Sequence, residues 1–180
     1  MANKAIYWNE GLFLRPHHFQ ANDRFQAIQQ NYPVQLLSGR TAGIGLLDID
    51  LDALANHIFR IKTIKGMLPD GTIVDIPGES ATVTNNFKAL LDRDGFVTFL
   101  LGIPMLSLGR ANSQVAEGNT LTRNQVEAIT VEDENDGQRP EEILVKRLNF
   151  RLLTQSDKTE GMAVLALARV VRSNRPDGAP

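Results

Sequence analysis

The sequence predicts a mainly β protein: an antiparallel β-sandwich with an N-terminal arm and one amphipathic α-helix in front of it. Three observations carry that expectation. After residue 42 the chain breaks into short apolar or alternating runs divided by Gly, Pro, Asn and Asp, the texture of strands joined by turns. Near the N-terminus a three- and four-residue apolar spacing with polar residues between, the mark of one helix face, stands in front of them. Strands do not alternate with long helices, which disfavours a doubly wound sheet.

The helix comes first. Pro16 suits a first turn, where its missing N–H is not needed. Ala21, Phe25, Ile28 and Tyr32 then share one face, with polar residues between them. Pro33 should end the element, giving a helix from Pro16 to Asn31. Burial of Phe25 and Ile28 against a neighbouring layer should contribute roughly 1.5–3 kcal/mol each.

The strands follow. In "HIFRIKTIK" (57–65), Phe59, Ile61 and Thr63 alternate with Arg60 and Lys62, a period of two. "LPDG" (68–71) places Pro second and Gly fourth, as a type I turn prefers, and "TIVDI" (72–76) resumes the alternation. Residues 58–76 therefore read as a hairpin closed by Pro77-Gly78. "NNFKALLDRDG" (85–95) reads as a brief helix capped by Asn85 or Asn86 and followed by Gly95. "FVTFLLGI" (96–103) is apolar on both faces, as in a strand between two layers. An acidic loop, "EDENDGQRP", separates "VEAITV" (126–131) from "EEILVKRLNFRLLT" (141–154). The second of these, like "MAVLALARVV" (162–171), fits helical spacing as well as alternation. Both are assigned to strands, because short segments flanked by Gly161 suit a sheet better than alanine propensity suits a helix. The expected organisation is an arm and helix packed on the sandwich over 1–32, the sandwich over 33–172, and a linker or truncated end over 173–180.

Bulk properties narrow the function. At 180 residues, 42 % hydrophobic and 22 % charged, the chain can bury a core of its own. A net charge of −2 offers no nucleic-acid surface. Cysteine is absent, which removes disulfides, thiolate metal sites and thiol nucleophiles. Glu10 interrupts the N-terminus before an apolar signal region can form, and the late run 162–171 is short and contains Arg169. Direct membrane insertion is not expected.

The candidates for chemistry are thin. His17 and His18 are adjacent, so on a helix they point about 100° apart and cannot readily share an ion; His57 stands alone. Glu132 to Gly137 superficially resembles a calcium loop, but its twelfth position is Leu144 rather than Glu. "GIG" (43–45) lacks the rest of a phosphate-binding fingerprint. Asp48, Asp50 and Asp52 would share one strand face and mark an exposed edge. A hydrolase built on His17 or His18 with Asp23 has no nucleophile motif beside it. No enzyme activity, cofactor or metal is expected. The opening segment instead concentrates Trp, Tyr and Arg, the types enriched at interface hot spots.

That segment, "IYWNEGLFLRPHHFQANDRF" (6–25), resembles the opening signature of the TssK family of bacterial type VI secretion baseplate subunits. The match runs through Trp8, Glu10, Gly11, Phe13, Leu14, Arg15, Pro16, His18, Phe19, Gln20, Asp23, Arg24 and Phe25, while His17 replaces the Gln usual there. "LPDGT" (68–72), "RLNFRLL" (147–153) and "ARVV" (168–171) follow in the family's order. The resemblance implies a sandwich like the shoulder domain of siphophage receptor-binding proteins, which favours strands for the last two segments. It implies a homotrimer, attachment to the wedge of TssF and TssG, and a cytoplasmic position at the baseplate, under the inner membrane. Contact with the membrane complex would come through C-terminal domains absent from this chain, which then reads as an N-terminal fragment. The matched residues, apart from Gln20, are the expected assembly or partner-binding set. Within it, Glu10 and Arg15 are an orienting ion pair, and Phe13, Leu14 and Phe19 are apolar anchors. Whether the anchors meet a partner or the domain's own core stays open at this level. A carbohydrate- or receptor-binding sandwich is the alternative reading.

Overall fold

A computed structural model describes residues 5–7, 9–38, 42–77, 83–115, 122–133, 137 and 140–172, with backbone alone at 31–38 and 115. Its first helix, α1 (Pro16–Ser38), leads into β1 (Gly43–Ile49), the short α2 (Leu51–Ala55), β2 (Ile58–Met67), β3 (Ile73–Ile76) and β4 (Thr84–Asn86). Then come α3 (Lys88–Asp94), β5 (Phe96–Pro104), β6 (Ser113–Val115), β7 (Asn124–Val131), β8 (Glu141–Leu148), β9 (Arg151–Thr154) and β10 (Met162–Val171).

Two antiparallel sheets share the core. One runs β1-β2-β3 with β4 paired to β2; the other runs β10-β5-β9. Phe59, Ile61 and Ile64 of β2 and Val74 and Ile76 of β3 meet Val97, Phe99, Leu101 and Ile103 of β5. Phe59 stacks on Phe99 at 3.9 Å between centroids, and Phe87 meets Phe99 edge-on at 5.5 Å. Such aromatic pairs are more stabilising than their buried area alone. A third sheet, β6-β7-β8, stands beside the sandwich, and its β6–β7 pair is parallel.

The hairpin over 58–76 forms as expected. The Gly71 N–H donates to the Leu68 carbonyl at 2.9 Å, and the Asp70 carboxylate accepts from the Thr72 N–H at 3.0 Å. Gly71 adopts φ 82°, which a side chain would resist. The alternation in β2 does not persist, however. A register shift against β1 between Asp48 and Ile49 leaves Thr63 half-buried and turns Ile64 inward. A bulge adds one residue to one strand and so exchanges its faces. In β5 the odd residues face the core, while Thr98 and Leu100 are half-buried on the other side. Two-sided burial is thus confined to its last residues.

Several expectations need correction. α1 does not stop at Asn31; Pro33 lies inside it. An interior proline withholds one N–H and crowds one carbonyl, yet a helix of 23 residues keeps its ladder on either side. Asp48, Asp50 and Asp52 do not share a strand face. Asp50 caps α2, accepting from the Ala53 N–H at 3.1 Å, and Asp52 lies within that helix. His57, with φ 60°, ends α2 by donating its N–H to the Leu54 carbonyl. α3 begins after Phe87 rather than after an asparagine cap. Asn86 still contributes, its side-chain oxygen accepting from the Lys88 N–H at 3.2 Å, and Gly95 ends the helix with φ 75°. The segments 141–148, 151–154 and 162–171 are strands, as assigned. Trp8, residues 134–136 of the acidic loop and the segment 173–180 lie outside the described residues.

Candidate assembly surface

The arm enters α1 through an ordered junction. Gly11, at φ 80°, allows the turn in which the Leu12 N–H reaches the Asn9 carbonyl at 3.3 Å. Arg15 precedes the first helical residue, Pro16. The Arg15 N–H donates to Nδ1 of His18 at 3.1 Å. His18 therefore does what Glu or Gln does at the third position of a capping box, reaching back to an orphan N–H. Its imidazole is committed to the backbone, which weighs against a role as a metal ligand or catalytic base.

The proposed anchors are held out in solvent. Phe13 is 77 % exposed, Leu14 52 % and Phe19 53 %. Tyr7 is exposed as well, whereas His18, Ala21 and Phe25 are half-buried along one side of α1. Ile28 is also largely open, so the expected burial contribution of that residue is only partly realised within this chain. Glu10 and Arg15 do not form the anticipated ion pair. The Arg15 guanidinium instead lies 5.9 Å from the Phe13 ring, so cation–π attraction replaces the expected carboxylate. An exposed pair of this kind contributes little in water. Asp23 and Arg24 are likewise exposed, and both face a cleft.

Among the described residues, two clefts adjoin α1. The first, about 570 Å³, lies between Gln20, Asp23 and Arg24 and the loop after β5, with Lys146 on its wall. The second, about 540 Å³, runs from Ala27 and Ile28 to the Asp70–Ile73 turn, Arg123 and Leu148.

Arg123 was not legible as a key residue from sequence. Its guanidinium donates to the Asp70 carboxylate and the Pro104 carbonyl, both at 2.9 Å, and to the Thr72 hydroxyl at 2.5 Å. One side chain thereby ties the β2–β3 turn, the end of β5 and the start of β7 together. Burial pushes the Asp70 carboxyl upward, but bonds from the Thr72 hydroxyl and N–H and the Arg123 charge outweigh it, holding it below its ordinary value. "LPDG" reads from its residues as a turn; the acid of that turn and the Thr72 hydroxyl that follows it are also one half of this clamp.

The β7–β8 ribbon is the other open surface. Ile129, Val131, Ile143 and Leu144 are all exposed, Leu144 at 69 %. Glu127 pairs with Arg147 at 3.3 Å near its base. Among the described residues no three His, Cys, Asp or Glu side chains converge as a metal set, and no helix is long and apolar enough to cross a membrane.

Together these features define a β-rich domain that leaves the arm, the clefts and the ribbon open to solvent. A family described as bacterial type VI secretion, VC_A0110, EvfL, ImpJ and VasE matches residues 18–179, and the chain belongs to that family. It is 34 % identical to the type VI secretion system baseplate component TssK1 of Pseudomonas aeruginosa, over 98 % of this chain and 40 % of the relative. The chain thus spans less than half the length of that relative. A crystal structure of TssK superposes with a TM-score of 0.82 at 25 % identity, covering 98 % of this chain and 41 % of the other. A chain in a cryo-electron microscopy structure of a TssK–TssF–TssG baseplate subcomplex shares the fold, with a TM-score of 0.84 at 20 % identity over 98 % of this chain and 58 % of the other. The strand assignments therefore agree with the architecture of solved TssK.

Proposed function

We propose that this chain is a structural adaptor domain of a type VI secretion baseplate, assembling as a homotrimer and attaching to a wedge of TssF and TssG. Its work is contact rather than turnover. It is placed on the cytoplasmic side of the inner membrane, with contact to the membrane complex assigned to the C-terminal domains of longer family members. The observation that carries this reading is the ordered turn and helix cap that hold Phe13, Leu14 and Phe19 in water. Exposed groups of that size cost free energy unless something covers them, and the local bonds fix them in place before binding. Preorganisation of this kind lowers the ordering cost of association. Trp8, Glu10, Gly11, Arg15, Pro16, His18, Asp23, Arg24 and Phe25 complete the proposed assembly segment, with Gly11, Pro16 and His18 shaping it.

The test is to mix the chain with a purified TssF–TssG wedge and read stoichiometry by light scattering. Three copies per binding site are expected. Absence of any complex at micromolar concentration would remove the reading.

A further inference from the structure

The cleft between α1 and the loop after β5 has a marked charge bias. Among the described residues, Arg24, Arg110 and Lys146 line it against one carboxylate, Asp23. All four are exposed, and none of the three cations has a carboxylate partner among the described residues. Leu106 and Leu108 lie in the same lining, 48 % and 56 % exposed. A surface of this composition fits an acidic segment that also carries apolar side chains.

The same molecule carries such a segment. On β8, the exposed Ile143 and Leu144 directly follow Glu141 and Glu142, neither of which has a cationic partner among the described residues. A two-stranded ribbon has no layer of its own behind these residues to bury them. Nor can it fill the cleft of its own chain. Lys146 belongs both to the cleft wall and to β8, and four residues of extended strand hold Glu142 about 13 Å away from it.

We propose that the cleft beside α1 receives the β7–β8 ribbon of a second copy of this chain. Successive side chains of β8 point to opposite faces, so Glu141 with Ile143 lies against one wall of the cleft and Glu142 with Leu144 against the other, the glutamates beside its basic side chains and the apolar pair beside Leu106 and Leu108. The two surfaces are different patches of one molecule, so the contact is head-to-tail and repeats from copy to copy until a ring closes. The inference deepens the assembly reading, on which it rests, by naming the surfaces through which copies join.

Self-association of the full chain, followed by analytical ultracentrifugation, tests it. The E141K/E142K variant should associate at least about tenfold more weakly, because like charges then oppose across the contact. R110E/K146E should lose a similar amount, and a chain carrying all four changes should recover. Circular dichroism checks that these exposed substitutions leave the fold intact. Undiminished association of both paired variants, or no recovery in the combined chain, overturns the proposal, as does a wild-type chain that stays monomeric. If the variants self-associate normally but lose the TssF–TssG wedge, the cleft is a wedge site; the inference falls while the assembly reading stands. Failure of the wild type to bind the wedge removes that reading without altering the self-association result.

Discussion

Arg123 shows how one side chain can fix the relation of three elements. Its guanidinium is mostly shielded from water and meets three oxygens from β2–β3 and β5. Arg123→Met keeps most of the apolar stem but removes every donor, and is expected to cost about 2–3 kcal/mol in urea denaturation. The pH dependence follows from Asp70. Its folded value is lowered from 3.8, so the stability it contributes is fully present above that ordinary value and fades as pH falls through the folded one. The difference between wild type and Arg123→Met should therefore hold from neutral pH down to the ordinary carboxylate value of 3.8 and shrink as pH falls below it. Nothing in "LTRNQ" announces this role. A clamp that closes between residues 51 positions apart leaves no local pattern in a sequence. The lone His57 is similar: read as an isolated histidine, it proves to be the residue that ends α2.

At the scale of elements, local chemistry was more legible. The Leu68–Gly71 turn, the Gly95 helix end and the strand nature of 162–171 all follow from turn residues, segment length or family resemblance. The Pro33 boundary and the Asp48–Asp52 face did not hold, because a ladder can continue past one missing donor and a single aspartate can start a helix. Two glycines separate backbone from side-chain constraint. A Cβ on Gly66 would stand 2.5 Å from the Gly43 carbonyl oxygen, across the β1–β2 pairing. On Gly102 it would meet the ends of Leu153 and Met162, at 2.7 and 3.1 Å. Side-chain termini can rotate away and a paired backbone cannot. Gly66→Ala should therefore destabilise by about 2–3 kcal/mol and Gly102→Ala by about 1, measured side by side in urea. Between the sheets, Phe59→Ala removes a fully buried ring stacked on Phe99. Its expected cost is about 3–5 kcal/mol by the same measurement.

For the whole molecule, stability and assembly should separate cleanly. Phe13 is mostly in solvent, so Phe13→Ser should change unfolding free energy by less than about 0.5 kcal/mol. If the arm is a contact anchor, the same change should weaken binding to the wedge by at least about tenfold in calorimetry. A variant that folds normally and binds normally would count against the arm as an anchor.

By itself the sequence determined the β class, the N-terminal helix, the principal turns and the family, because each is written in neighbouring residues or in a contiguous motif. Only the tertiary structure decided that Asp70 and Thr72 hold Arg123, that Ile64 turns inward past a bulge, and that the arm's aromatic groups stay uncovered by their own chain. Those outcomes depend on which distant surfaces meet. Periodicity can say that a side chain is apolar and on which side it lies, but not whether another layer is there to receive it.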